Sequence, residues 1–225
     1  MSKQFLGVIV IIILVFVGIF AFSGNKSGTS GKTGGTSTLT QHIEGQGKAK
    51  VTLVEYGDYQ CPFCGEYFPA VKQVQAQFSQ QIFFQFRNFP LTSLHQNAFA
   101  AARAAEAAAL QNKFWEMHDA LYETQTQWSG AGDPTSFFDQ YATQLGLNLT
   151  QFKQDYASGK VNDLINADTA EGNKLNVQGT PTFFLDGKAL NSSQLIDSSS
   201  KPSISAFANV INSEIAKKTG TAKPQ

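Results

Sequence analysis

The sequence predicts an α/β domain in which a mixed central sheet is flanked by helices and interrupted by an all-helical segment. A strand, an amphipathic helix and a second strand follow one another between residues 51 and 86, which is the order of a βαβ unit. A long stretch of helical pattern comes next, and a short strand, a hairpin turn and a closing helix follow it.

The βαβ unit can be assigned residue by residue. Val51–Tyr56 combines β-branched and apolar residues, which predicts a buried strand, and Gly57 and Asp58 mark the turn after it. Pro62–Phe78 carries apolar residues three or four positions apart, which indicates a helix with one buried face. Gln81–Phe86 is rich in Phe and predicts the second strand.

The helical insert is predicted over about residues 92–174. Nine of the twelve residues in Ala98–Ala109 are alanine, a strong helix former. Asp133 and Pro134 are typical of a helix N-cap and first turn, and Gly146 is a stop signal. We predict helices over residues 98–122, with a break near Gln111, and over residues 134–145, 150–157 and 160–173.

The C-terminal part completes the sheet and covers it. Gly179–Gly187 predicts a turn, a short strand and an Asp-Gly hairpin. Pro202–Lys218 has the pattern of an amphipathic closing helix, and residues 219–225 form a tail. The folded domain is therefore predicted to span residues 48–218.

The charge balance argues against nucleic-acid binding. The chain has 17 Lys and Arg against 17 Asp and Glu, and its longest basic run is the pair Lys217-Lys218. Such a chain lacks the basic surface that binds a phosphate backbone.

The N-terminal residues predict export. Phe5–Phe22 contains no charged or polar side chain, and as a helix it would be roughly 27 Å long, close to the thickness of a bilayer core. Residues 1–22 are thus predicted to be a single-pass anchor in the cell membrane, with the domain outside the cytoplasm. The alternative is a secretory signal, because small residues at Ala21 and Ser23 suit cleavage and would leave a secreted protein.

A linker is predicted between this segment and the domain. Residues 23–47 include 7 Gly, 4 Ser and 5 Thr and no Phe, Trp or Tyr, so they can bury little apolar surface. We predict a flexible tether.

The two cysteines of the chain, Cys61 and Cys64, are the candidate chemical site. They lie three residues apart where a strand gives way to a helix, and an exported pair at this spacing can close into a disulfide. The positive end of the helix dipole would stabilise the thiolate of Cys61, the predicted nucleophile, and Cys64 behind it would resolve mixed disulfides. Pro62 fixes the backbone, and Phe63 adds neither charge nor proton.

Two other interpretations of the cysteine pair are a zinc half-site and an inert buried pair. A zinc site needs at least one more ligand, and the three histidines, His42, His95 and His118, are not spaced like a second half-site. We therefore predict no metal.

Two distant residues are candidates for the same site. Glu55 lies in an apolar strand, where burial would raise its pKa and let it relay the proton of Cys64; the alternative is a Glu that faces solvent. Thr180-Pro181 precedes a strand and can hold a cis peptide bond beside Cys61, although an ordinary trans turn is the alternative.

Three segments resemble the DsbA-like thiol–disulfide oxidoreductases. They are VEYGDYQCPFC at residues 54–64, KFWEMHD at 113–119 and VQGTPTF at 177–183. The resemblance covers about residues 48–218 and is strongest to membrane-anchored or secreted bacterial members with a thioredoxin fold and a helical insert. It implies this fold here.

The resemblance also implies roles for individual residues. Cys61 would be the nucleophile, Cys64 the resolving thiol, Glu55 the buried acid and Pro181 the cis-proline. No catalytic role is carried over to His118, for which we predict helix packing. Independently of the resemblance, we predict that Pro62, Phe63, Thr180 and Pro181 contact substrate. Many strong oxidants of the family have His where this chain has Phe63, so the resemblance leaves the direction of electron transfer open.

The leading functional hypothesis is donation of the Cys61–Cys64 disulfide to exported polypeptides that carry free thiols. No bound cofactor is needed, because the sulfurs carry the electrons, and the resemblance implies a membrane quinone-linked partner for reoxidation. The alternatives are a reductase or isomerase, an anchored peptide-binding module with a structural disulfide, and a glutathione-transferase relative, which would not need both cysteines.

Overall fold

The computed structural model describes residues 38–220 and has the predicted α/β architecture. Over these residues it contains five strands, eight α-helices and a short 3-10 helix (Ser192–Gln194). The strands are β1 (His42–Glu44), β2 (Val51–Gly57), β3 (Ile82–Asn88), β4 (Thr182–Leu185) and β5 (Lys188–Ala189). The helices are α1 (Pro62–Phe78), α2 (Ala98–Ala109), α3 (Phe114–Glu123), α4 (Gln125–Trp128), α5 (Thr135–Gln144), α6 (Leu149–Tyr156), α7 (Gly159–Lys174) and α8 (Ile204–Thr219).

The strands form one mixed sheet in the order β1-β3-β2-β4-β5. β2 and β3 are parallel, as expected of a βαβ unit, and the other neighbouring strands are antiparallel. The register places Glu55 between Phe86 of β3 and Phe183 of β4. β2 is therefore the central strand, and its end delivers the chain to Cys61.

One hydrophobic core lies between this sheet and helices α1 and α8. Val51 and Leu53 of β2 are fully buried there, together with Val74 of α1 and Phe207 and Ile211 of α8. Because side chains alternate along a strand, Glu55 belongs to the same face as Val51 and Leu53.

The predicted helical insert is present and has its own core. Its centre is α2, in which most of the alanines are buried, and the small side chains let neighbouring helices approach closely. The predicted break is confirmed: α2 ends at Ala109 and α3 begins at Phe114, and Asn112 between them has a φ of 60°. Such a left-handed backbone cannot continue a right-handed helix.

The folded domain begins earlier than predicted. Residues 42–44, which the sequence assigns to the flexible linker, form β1 and pair antiparallel with β3. The backbone N–H and hydroxyl of Thr40 donate to buried Asp168 at 3.0 and 2.6 Å. His42 lies 2.7 Å from Glu106 and stacks on Phe114. The linker boundary at residue 47 is thus wrong, because partners far along the chain order this segment.

Two smaller differences concern the insert. The four-residue helix α4 was not predicted, since it is too short to show a periodicity. Helix α5 begins one residue later than predicted, at Thr135, so Pro134 is the N-cap rather than a first-turn residue.

Nothing in residues 38–220 is a helix of the length and apolar character that a bilayer crossing requires. The predicted anchor, residues 1–22, lies outside the described residues, as do residues 23–37 of the predicted linker and the last five residues of the tail.

We expect Asp168→Ala to destabilise the domain by about 3 kcal/mol, because it leaves buried donors without an acceptor. The carboxylate accepts from Thr40 and from the backbone N–H of Asn88 at 3.0 Å, and it lies 3.4 Å from Arg87. Urea unfolding of the full chain measures the loss. Asp163→Ala, an exposed change on the same helix, is the control and should cost within about 0.5 kcal/mol; equal losses would contradict the prediction.

Candidate active site

The two cysteines lie at the junction of the β2 turn and helix α1, as predicted. Cys61 is the N-cap, with φ −66° and ψ 122°, and Pro62 is the first helical residue. Pro suits this position because the first helical N–H has no partner within the helix. The backbone N–H of Cys61 donates to the carbonyl of Asp58 at 3.1 Å, and Cys64 is completely buried one turn further on. Both residues are free thiols.

The thiol of Cys61 is activated. Its pKa is lowered from 9.0 to about 6, first by a hydrogen bond from the Cys64 side chain and further by the backbone N–H groups of Cys64 and Phe63, while burial opposes the shift. The carbonyl oxygen of Thr180 lies 3.3 Å from the Cys61 sulfur and accepts from the thiol form, so this contact does not stabilise the thiolate. Because the pKa is about 6, the thiolate of Cys61 predominates at pH 7.

Cys64 has the opposite character. Burial raises its pKa well above the ordinary value, and the neighbouring Cys61 raises it further. The backbone N–H of Asp58, 3.5 Å from the Cys64 sulfur, acts against this shift. The pair thus combines an ionised outer sulfur with a protonated inner one, which is the arrangement of a nucleophile and a resolving thiol.

Glu55 is buried behind the cysteines. Only 3% of its surface is exposed, so the prediction of a buried carboxyl is confirmed and the solvent-facing alternative is wrong. Burial raises the pKa of Glu55 from 4.5 to about 8, and the charge of Cys61 adds to the shift. Its role as a proton relay for Cys64 stays a prediction.

The Thr180-Pro181 peptide bond is cis, as predicted. It lies just before β4, the antiparallel neighbour of β2, and this pairing brings it beside Cys61. The hydroxyl of Thr180 is buried and has no hydrogen-bond partner among the described residues.

The residues between the two cysteines, and those that line the adjoining cleft, carry no charge. Phe63 is 64% exposed, and Pro62 beside it is also exposed. A cleft of about 400 Å³ lies next to Pro181, with amide, hydroxyl and apolar side chains in its walls. They include Tyr67, Gln178, Thr182, Leu190 and Leu195. An extended, uncharged peptide would fit such a surface.

The family profile described as thioredoxin matches residues 37–201, most of the chain. The chain belongs to the thioredoxin family. The match starts ahead of β1, in agreement with the early start of the folded domain.

Several solved structures have the same fold as this chain. BdbD from Bacillus subtilis superposes with a TM-score of 0.65 at 23% identity, covering 78% of this chain and 92% of its own. Alpha-DsbA1 from Wolbachia pipientis gives 0.64 at 22% identity, covering 82% and 97%. A thioredoxin-like oxidoreductase from Silicibacter pomeroyi gives 0.59 at 24% identity, covering 80% and 92%. The DsbA-like resemblance is thus confirmed for the fold, helical insert included.

Closer sequence relatives are much longer proteins. Two of them are named Na(+)/H(+) antiporter NhaA 1. The protein from Mycolicibacterium gilvum is 40% identical over 151 residues, and that from Salinispora arenicola is 40% identical over 167 residues. These matches cover 65% and 74% of this chain but only 23% and 25% of the relatives. The chain therefore spans about a quarter of the length of the curated relatives it matches.

The sequence analysis did not assign the side chains of Gln125 and Asp58 to this site, although both support it. The side-chain amide of Gln125 donates to the carbonyls of Tyr59 and Cys61 at 2.7 and 2.9 Å. A Cβ on Gly65 would lie 2.6 Å from the Gln125 amide oxygen, so the glycine makes room for this contact. Asp58 accepts from the backbone N–H of Gln60 at 2.8 Å. No spacing signal links position 125 to the cysteines.

The histidines of the described domain have partners in the protein. His118 is buried among aromatic rings, its Nδ1 lies 3.1 Å from Asp119, and burial lowers its pKa, in agreement with a packing role. His95 contacts Asp58, and His42 contacts Glu106. Within residues 38–220, His, Cys, Asp and Glu form no cluster that could hold a metal ion.

We expect the reduced protein to show one thiolate titration with a midpoint near pH 6, which is the pKa of Cys61. Absorbance at 240 nm as a function of pH measures it. Cys61→Ser should remove the transition, because the pKa of Cys64 is raised. A midpoint near the ordinary value of a free cysteine would contradict the described geometry.

Proposed function

We propose that this chain is an extracytoplasmic thiol–disulfide oxidoreductase that introduces disulfides into exported proteins. The observation that carries the proposal is the asymmetry of the pair: the pKa of Cys61 is lowered at a helix N-terminus beside Pro181, whereas that of buried Cys64 is raised. The names of solved structures with this fold, which include the thiol-disulfide exchange protein alpha-DsbA2 from Wolbachia pipientis, support the same reaction.

In the proposed reaction, a substrate thiolate attacks the Cys61 sulfur of the oxidised protein. A new disulfide joins the substrate to Cys61, the Cys61–Cys64 bond breaks, and its electron pair stays on the Cys64 sulfur. A second substrate thiolate then attacks the substrate sulfur and displaces Cys61 as a thiolate. The substrate has lost two electrons and two thiol protons. The enzyme has gained the two electrons and one proton, which is on Cys64, and the other proton has passed to the solvent because Cys61 stays a thiolate at neutral pH.

The lowered pKa of Cys61 favours this direction. A thiolate that is stabilised in the folded protein stabilises the reduced form, and a stable reduced form makes the disulfide a better oxidant. Between pH 6 and 9 the folded reduced chain has released a proton that the unfolded chain still binds, so its stability rises with pH over this range.

The partners and the location belong to the same proposal. Exported polypeptides with free thiols would be the substrates, and a membrane quinone-linked oxidoreductase would reoxidise the pair. The apolar run Phe5–Phe22 supports a single-pass anchor in the cell membrane, with secretion after signal cleavage as the alternative. The similarity of this chain to part of longer proteins that are named as antiporters also supports a location at a membrane.

A reductase or isomerase of the same fold is the second candidate. It is favoured by Phe63, which stands where many strong oxidants of the family have a histidine and which offers no proton or charge to the Cys61 thiolate. The chemistry of the two cysteines would be identical, and only the reduction potential and the recharging partner would differ.

The reduction potential of the Cys61–Cys64 pair tests the proposal. The full chain is equilibrated with glutathione buffers, and its free thiols are trapped by alkylation. A potential near about −120 mV supports disulfide donation, and one near about −270 mV supports the reductase. A potential below about −300 mV, with thiols that resist alkylation, would make the disulfide structural and overturn both enzyme proposals.

A further inference from the structure

Asp58 lies in the turn between β2 and Cys61, and its side chain is completely buried. Both carboxylate oxygens accept hydrogen bonds. Oδ1 accepts from the backbone N–H of Gln60 at 2.8 Å. Oδ2 accepts from the backbone N–H of Leu91 at 2.9 Å and lies 2.7 Å from Nδ1 of His95. A buried carboxylate with this many partners has one fixed orientation.

The backbone of Asp58 contacts both cysteines. Its N–H donates to the Cys64 sulfur at 3.5 Å, and its carbonyl accepts from the N–H of Cys61 at 3.1 Å. Among the described residues, this N–H is the one main-chain donor that reaches the Cys64 sulfur from outside helix α1. This N–H belongs to the Gly57–Asp58 peptide, whose carbonyl accepts from the backbone N–H of Phe89 at 2.8 Å. Its direction therefore depends on that main-chain bond at one end and on the anchored Asp58 side chain at the other.

His95 is the outer member of this arrangement. It is partly exposed, with 19% of its side chain accessible, whereas Asp58 is not exposed at all. Leu91 and His95 lie in the segment between β3 and α2, so the carboxylate joins the cysteine turn to the entrance of the helical insert. A second bond joins the same segments, since the Gln60 side chain accepts from the backbone N–H of Asn97 at 2.6 Å.

We propose that Asp58 and His95 are a positioning pair that holds the Asp58 N–H on the Cys64 sulfur and makes Cys64 a better leaving group. The inference rests on the proposed function and concerns its first step. A thiolate attacks Cys61, the Cys61–Cys64 bond breaks, and the electron pair moves onto the Cys64 sulfur. An N–H directed at that sulfur stabilises the charge as it forms.

A charge effect of Asp58 is the competing explanation, and it has the opposite sign. A buried carboxylate near the Cys64 sulfur would repel the developing thiolate, so its neutralisation would accelerate the step. If Asp58 acts by positioning, two substitutions should both slow the step. Asp58→Asn removes the charge, and Asp58→Glu keeps the charge but lengthens the side chain. The two substitutions therefore distinguish position from charge.

The test is the rate at which glutathione reduces the oxidised full chain, divided by the concentration of the glutathione thiolate. We expect a fall of about tenfold in Asp58→Asn and in Asp58→Glu, which corresponds to the loss of one hydrogen bond to a charged group. His95→Ala should lower the rate about threefold, because Gln60 and Leu91 still hold the carboxylate. The control Asp168→Asn changes a buried carboxylate whose hydrogen-bond partners are Thr40, Arg87 and Asn88 and not the cysteines, and it should change the rate less than about twofold.

The thiolate titration of Cys61 is the second readout. Its midpoint should stay near pH 6 in every variant, since the Cys64 side chain and the backbone N–H groups of Cys64 and Phe63 account for the lowered pKa. A faster reaction of Asp58→Asn, unchanged rates in both Asp58 variants, or a parallel rise of the Cys61 pKa that indicates a loosened turn would each overturn the inference. If the wild-type chain itself resists glutathione, the proposed function fails first and the inference fails with it.

Discussion

Cys61→Ser is expected to abolish disulfide exchange, whereas Cys64→Ser is expected to retain the first step and accumulate mixed disulfides. Cys61 carries the thiolate at neutral pH, and serine cannot take its place because its oxygen does not form a disulfide. Cys64 is completely buried, and its raised pKa keeps it protonated until a proton acceptor is available. Without it, a substrate joined to Cys61 has no neighbouring thiol to release it.

The measurement is the capture of a peptide that carries one activated disulfide, followed on non-reducing gels and by mass spectrometry. The wild-type protein should release the reduced peptide before the first sample is taken. Cys64→Ser should retain the peptide as a mixed disulfide, and Cys61→Ser should form no adduct. A matched control is Ser129→Ala, a half-buried hydroxyl that does not contact the cysteines. An adduct on Cys64 in the Cys61→Ser protein would contradict the assignment of the two roles.

The elements that local chemistry determines were predicted well. Helix α1 has the predicted bounds, since Pro62 starts it and its apolar residues repeat at helical spacing up to Phe78. The burial of Glu55 was also anticipated, because a lone carboxylate stood in an apolar strand. These two signals lie within a few residues of the features they predict. The cis bond before Pro181 was implied by the DsbA-like resemblance, since the local sequence left an ordinary trans turn open.

The features that depend on distant partners were not predicted. β1 is three residues long, and Asp168, Glu106 and β3 determine its place, so its own composition suggested a linker. Gln125 reaches the Cys61 carbonyl from a helix that is 64 residues away in sequence. No local pattern encodes such contacts, and only the packed insert reveals them.

The departure from the family pattern at Phe63 leaves the activation of Cys61 in place. It removes a side chain that could stabilise the Cys61 thiolate, yet the pKa of Cys61 is still lowered to about 6, because the Cys64 thiol and nearby backbone N–H groups supply hydrogen bonds. These donors come from the helix start itself. The asymmetry of the pair is therefore a property of the turn and helix, and the residue between the cysteines adjusts it.

Glu55→Gln is expected to slow the departure of Cys64 by about a hundredfold, the usual contribution of a positioned general acid. With a pKa of about 8, Glu55 holds a proton at neutral pH and can give it to the Cys64 thiolate as the disulfide opens. In the wild type this advantage should disappear as the pH rises above 8. In Glu55→Gln the rate, divided by the attacking thiolate concentration, should not change with pH over this range.

The same substitution has a signature in stability that separates proton transfer from packing. The folded reduced protein keeps the Glu55 proton up to about pH 8, whereas the unfolded chain releases it near 4.5, so the folded state binds more protons between these values. Cys61 titrates in both proteins, so the comparison of wild type with Glu55→Gln isolates Glu55. Wild-type stability should therefore fall by about 1.4 kcal/mol per pH unit more steeply than that of Glu55→Gln in this window. Urea unfolding at pH 5, 6, 7 and 8 measures the difference. If the free energies of unfolding of the two proteins change with pH in parallel, Glu55 is ionised in the folded protein. It would then have no proton to give to Cys64, and the proton-relay role would be contradicted.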